Sequence, residues 1–178
     1  FIKGFRAFHF MHPCATVFGS ARYEESHPYY EITKKVGGEL AKLGFAVMTG
    51  GGPGLMEAAN RGAKEQNGVS IGCNIKLPME QKENPYLDKW VAIEFFFVRK
   101  ILLTKYSYAF VVMPGGFGTL DELFEAVTLI QTKKTKPFPV VVFCKDFYNK
   151  IIGHIDLMLQ EGTISKIDKD LIFFTDNI

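Results

Sequence analysis

No apolar run in this chain approaches the ~20 residues that a membrane-spanning helix requires. Cys-x-x-Cys pairs are also missing. The three cysteines, Cys14, Cys73 and Cys144, are odd in number and far apart, so they read as reduced thiols in a cytoplasmic protein rather than as a disulfide framework. An excess of either charge is missing too: a net charge of +2 argues against a nucleic-acid or membrane partner. No Gly-x-Gly-x-x-Gly follows the first expected strand and no Walker Lys-Ser/Thr follows a glycine loop, which disfavours a nicotinamide cofactor and an ATP P-loop. There is no Ser/His/Asp set in a nucleophile context. His9, His12 and Cys14 are loose ligand types that do not close a four-ligand set, so no metal is expected. Internal repeats, low-complexity tracts and linkers are absent as well. The chain opens on Phe1 rather than Met, and its natural N-terminus is expected to lie upstream. FIKGFRAFHF lacks the long apolar stretch of a signal peptide.

What is present is an ordinary globular composition, 47% hydrophobic and 22% charged over 178 residues. That length predicts one domain spanning 1–178, with 1–14 as an N-terminal extension. Seventeen phenylalanines leave apolar surface to spare and point to a homodimer or a higher homo-oligomer. Short β-rich runs alternate with helical periodicity. Strands are expected at 15–18, 45–49, 69–74, 90–96, 110–113 and 139–143, and helices at 28–43, 55–65, 98–106, 120–131 and 148–160. Near-continuous apolar strands separated by helices imply an α/β fold: a Rossmann-like open parallel sheet of about six strands with helices on both faces. The long connection from Ile75 to Lys89 reads as a functional loop.

The most informative stretch is VVMPGGFGTLDELFEAV, Val111 to Val127. A strand meets a proline and three glycines, Gly115, Gly116 and Gly118, and a polar cluster then opens a helix. Backbone amides and the positive end of that helix favour a phosphate. Glu122 sits in the first turn, within reach of whatever the phosphate carries. A bland alternative stands beside this: Thr119-x-x-Glu122 has the spacing of a capping box. Asp121 and Glu122 cannot share one target, because consecutive helical residues point about 100° apart. Glu125 lies on the face of Glu122, as a second carboxylate or as a solvated residue.

Three further loops follow strands and should share the same sheet edge. They are Gly19-Ser20-Ala21-Arg22, the loop Gly50 to Gly54 with Gly52 and Gly54, and the Arg99-Lys100 pair. Cations at a helix start oppose the dipole by a few tenths of a kcal/mol, so a bound anion explains them better.

GGGPGLMEAANRGA (Gly50 to Ala63) together with PGGFGTLDE (Pro114 to Glu122) resembles the LOG family of cytokinin riboside 5′-monophosphate phosphoribohydrolases, whose bacterial members were long labelled lysine decarboxylases. The resemblance runs from about Val17 to Ile164 and includes VFGSAR, FFVRK and EGTIS; HPYY and FFVRK are closer to the longer bacterial subgroup than to the plant enzymes. It implies hydrolysis of the N-glycosidic bond of a nucleoside 5′-monophosphate, with Arg99 and Glu122 as the catalytic pair and no cofactor. It further implies a phosphate cradle of Gly115, Gly116, Gly118 and Thr119 with Lys100 alongside, a ligand Glu80 in the long loop, and Thr128 as a further substrate contact. Phe117 and Asp121 stand where plant members commonly carry Tyr and Glu. The divergent loop from Ile75 to Lys89 leaves the base open. A reading from another class is a non-catalytic module that senses or carries a nucleotide-like ligand on the same fold.

Overall fold

A computed structural model of the chain describes residues 6, 8, 13–76 and 83–178. In chain order the elements are β1 (Cys14–Phe18), α1 (Pro28–Lys42), β2 (Ala46–Thr49), α2 (Leu55–Glu65), β3 (Ser70–Ile75), β4 (Lys89–Ile93), α3 (Phe96–Tyr106), β5 (Ser107–Val112), α4 (Phe117–Gln131), β6 (Val140–Phe143), α5 (Lys145–Gln160), α6 (Lys166–Lys169) and β7 (Ile172–Thr175). The strands form one parallel sheet of seven, ordered β4-β3-β2-β1-β5-β6-β7. The chain therefore starts in the middle, runs outward to β4, and returns past β1 to build the other half. Right-handed crossovers put helices from the two directions on opposite faces. Phe18, Met48, Phe110 and Val112 pack with Leu102 of α3 and Leu123 of α4. Val17, Val47 and Val111 face the other way, onto Val36 of α1 and Ala59 of α2.

Several elements differ from the sequence reading. The seventh strand, β7, was not anticipated: its four residues follow a helix of a single turn, too short for periodicity to register. The expected strand at 90–96 ends at Ile93, and Phe96 already belongs to α3. The apolar run after Glu94, Phe95 to Val98, reads equally as strand or as helix, and here Phe95, with an extended backbone, is the N-cap. Strand β5 begins at Ser107, directly after the last residue of α3. Glu80, His9 and His12 lie outside the described residues. Cys14, the third of the loose ligand types, is buried in β1.

Helices α1 and α2 touch through glycine. A Cβ on Gly62 would stand 1.8 Å from the Lys34 carbonyl oxygen, and one on Gly37 would stand 2.2 Å from that of Ala59. Both neighbours are helical backbone and cannot step aside without moving a helix. This close approach seats α2, and α2 in turn carries the glycine loop that precedes it. Gly62→Val is expected to lower stability by on the order of 3 kcal/mol, read as a shift in the urea midpoint. Gly153→Ala, at an open helical position, should raise it by about 0.5–1 kcal/mol.

Candidate active site

The order of the strands reverses between β1 and β5, and a crevice opens at the carboxyl ends of the strands around that point, as expected for an open parallel sheet. The cleft has a volume of about 540 Å³, within the range of small-molecule sites. Ser20 from the β1 loop, Gly50 from the β2 loop, Arg99 from α3, and Gly116, Gly118, Thr119 and Glu122 from α4 all border it.

Helix α4 begins at Phe117 with Gly116 as its N-cap, and no side chain caps it. The capping-box reading of Thr119 and Glu122 is thereby overturned. Thr119 is already the third helical residue, and its amide, like that of Leu120, bonds the Gly116 carbonyl at 3.1 Å. Its side chain lies against Gly115, where a Cβ would come within 2.1 Å of Oγ1. The amides of Gly116, Phe117 and Gly118 have no protein partner among the described residues. Three such amides at the positive end of a fifteen-residue helix suit an anion. The Tyr148 hydroxyl holds the corner behind them: it donates to the Met113 carbonyl at 2.7 Å and faces the Gly115 amide.

Arg99, in the first turn of α3, lies over the end of β3, where its Nε donates to the Cys73 carbonyl at 2.9 Å. Its Nη1 stands 3.7 Å from Glu122 Oε1, an ion pair too long for a hydrogen bond, so the carboxylate keeps acceptor capacity for a ligand. Glu122 is 5% exposed. Burial pushes its carboxyl up to about 7; the cations of Arg99 and Lys100 pull it down, and Glu125 and Asp121 push it further up. A carboxyl with that value exchanges protons at neutral pH and can serve as base and as acid within one turnover. Gly50 makes room for the arginine: a Cβ there would be 2.7 Å from Arg99 Nη2.

The remaining expected residues fall elsewhere. Lys100 is not among the residues bordering the cleft; it binds Asp121 at 2.7 Å and Glu125 and so ties α3 to α4. The same contact settles Glu125 as the partner of a lysine. Thr128 is exposed and donates to the Phe124 carbonyl at 2.7 Å within its own helix, away from the cleft. Gly115, Gly52 and Gly54 stand behind the surface. The Gly52 carbonyl accepts from Asn84 Nδ2 at 3.1 Å. Gly54, at φ +69°, lets the Ser20 carbonyl approach the start of α2 and take the Leu55 amide at 2.9 Å. Sequence reasoning missed Asn74, Met56, Phe96 and Phe117 as parts of the wall. Of these only Asn74 carried a signal, a polar residue closing an apolar strand.

Residues 56–178 match the model of a protein family described as "Possible lysine decarboxylase". A cytokinin riboside 5′-monophosphate phosphoribohydrolase of Mycobacterium tuberculosis is 33% identical over 152 residues, covering 83% of this chain and 80% of that protein. The chain belongs to the LOG family. The LOG3 phosphoribohydrolase of Arabidopsis thaliana is 30% identical over 86% of the chain and 72% of its own length. The rice LOG enzyme is 29% identical over 86% of the chain, which spans 64% of the rice protein. Among solved structures, a molybdenum cofactor binding protein of Rippkaea orientalis superposes with a TM-score of 0.66 over 94% of this chain and 91% of its own. At 22% identity that likeness shows a shared fold.

The raised carboxyl of Glu122 has a consequence for stability. The folded state holds this proton more tightly than an ordinary glutamate, whose value is 4.5. Its contribution is therefore fully present below about pH 4.5 and is lost as pH rises through about 7. Glu122→Gln has no proton to lose, so its melting temperature should gain on the parent's between those limits. A difference in melting temperature that stays constant with pH would mean an ordinary carboxyl.

Proposed function

We propose that this LOG-family chain hydrolyses the N-glycosidic bond of a nucleoside 5′-monophosphate, giving the free base and ribose 5-phosphate. One observation carries the reading: the buried pair of Arg99 and Glu122 beside the free amides of α4. The phosphate rests on the amides of Gly116, Phe117 and Gly118, and the ribose extends toward Glu122. Breaking the C1′–N bond sends its electron pair to the base and builds positive charge on the ribose, which the Glu122 carboxylate stabilises. Water adds to C1′, Glu122 takes its proton, and the departing base gains one. A carboxyl near 7 is suited to both transfers. Arg99 cannot stabilise a cation; it orients Glu122 and anchors the phosphate or ribose.

The family's decarboxylase description finds no support in the cleft. Pyridoxal-dependent decarboxylation needs a lysine at the site. No lysine borders the cleft among the described residues, and Lys100, the nearest in sequence, is engaged by Asp121 and Glu125. The names of the relatives support the hydrolase reading; a ligand carrier on the same scaffold would have no need of a carboxylate held close to its titration point.

We further propose a homodimer. Phe95, Phe97 and Ile101 on and beside α3, and Phe124 on α4, are exposed apolar side chains on the two helices that carry Arg99 and Glu122. Sedimentation at micromolar concentration is expected to give a dimer, and Phe97→Glu with Ile101→Glu a monomer.

Incubation of the protein with AMP and with isopentenyladenosine 5′-monophosphate, followed by chromatography, should show free base. Glu122→Gln should bind the nucleotide and release base at least ~100-fold more slowly. Binding of nucleotide by the native protein with no base released from any nucleoside monophosphate would establish a carrier instead.

A further inference from the structure

Asn74 is a largely buried polar side chain of the cleft wall whose donor is unspent among the described residues. It closes β3 and is 5% exposed. Its Oδ1 accepts the Ile75 amide at 2.7 Å, which fixes the orientation of the side-chain amide. Nδ2 is then the group left for the cleft, and it has no partner among the described residues. The other side chains on this face of β3 are accounted for: Ser70 Oγ takes the Asn60 amide at 2.8 Å, and Gly72 has none. No buried side-chain polar atom among the described residues lacks a partner, so Nδ2 is open to the cleft, where something that binds there can take its hydrogen bond.

Position indicates what that something is. Three strand spacings separate β3 from β5 in the order β3-β2-β1-β5, about 14 Å across the sheet. The free amides of α4 lie at one end of that span and Asn74 at the other. Glu122 and Arg99 lie between them, the arginine resting on the carbonyl of Cys73 next door. Met56, Ile75 and Phe96 supply apolar wall to the same cleft. Apolar wall with an amide donor beside it is what a heteroaromatic base with a ring acceptor requires.

We infer that Asn74 reads the base: its Nδ2 donates a hydrogen bond to a ring nitrogen of a purine seated against Met56, Ile75 and Phe96. The inference rests on the nucleotide reading above and adds to it a specificity residue that the sequence did not single out. The same bond takes up part of the negative charge that the base acquires as it leaves, so Asn74 also favours bond cleavage.

The test is calorimetric binding of AMP, its 1-, 3- and 7-deaza analogues, and ribose 5-phosphate, with every protein carrying Glu122→Gln so that no base is released during the titration; native then means unchanged at Asn74. The native protein should bind AMP more tightly than ribose 5-phosphate, and one deaza analogue should lose about tenfold in affinity. Asn74→Asp keeps the acceptor for the Ile75 amide and removes the donor; Asn74→Ala guards against an effect of the new charge. Both should lose about the same factor for AMP, bind that analogue and AMP alike, and leave ribose 5-phosphate unchanged. Equal affinity of the native protein for AMP and all three analogues would overturn the inference. So would variants that keep their AMP affinity or lose ribose 5-phosphate in parallel. A native protein that binds neither AMP nor ribose 5-phosphate would remove the nucleotide reading itself.

Discussion

A carboxylate taken out of water in front of a guanidinium sets the terms for the whole cleft. Glu122 lies on the inner face of α4, and the Arg99 cation, 3.7 Å away, moderates the cost of that burial without removing it. The pair needs three things of the fold. Helix α4 must begin at Phe117, so that Glu122 comes more than a turn later and faces inward. Helix α3 must enter over the end of β3, where the Cys73 carbonyl steadies Arg99. The β2 loop must have no side chain at Gly50, because the guanidinium occupies that space. Each condition belongs to a different segment, and the strand-order reversal at β1 and β5 is what brings the segments together.

The polar groups beneath the loops serve the same end. Asn60 receives the Thr49 hydroxyl at 2.6 Å and the Asn84 amide at 3.0 Å on Oδ1, and it donates to Ser70. Asn84 in turn donates to Gly52, and its backbone amide bonds Gly51. This network fastens the described end of the long loop, 83–88, to the β2 loop inside the protein, where partly satisfied groups would be costly. The glycines of GGGPG are thus occupied with architecture: they let chain approach chain. The free amides at a helix start that border the cleft lie in the other glycine loop, ahead of α4.

Much of this was legible from residue order. Alternating short apolar strands and helical periodicity announce the parallel sheet, because burial on both faces leaves no other pattern. Arg99, Glu122, Ser20, Gly116, Gly118 and Thr119 were expected at one edge, and all border the cleft. Lys100 and Thr128 were read as ligand contacts, and neither is on the wall of the cleft: adjacent helical residues point apart, so where Arg99 faces the cleft its neighbour is turned to the side. The capping box had the right spacing with the wrong helix start, since Gly116, not Thr119, supplies the cap. Asn74 escaped notice because one asparagine at a strand end is common, and its meaning depends on a bond to Ile75 that orients the amide.

By itself the sequence determined the fold class, the elements that carry chemistry and the edge on which they meet. Those follow from periodicity, from glycine placement and from the chain direction of a parallel sheet. Only the tertiary structure decided which carboxylate is buried, which cation it faces and which amides remain free. Those properties depend on distance and exclusion of water between segments far apart in sequence, and no local pattern encodes them. Glu122 and Glu125 are the same residue three positions apart on one helix. One faces the cleft beside Arg99 with its carboxyl raised by burial, and the other closes an ion pair with Lys100.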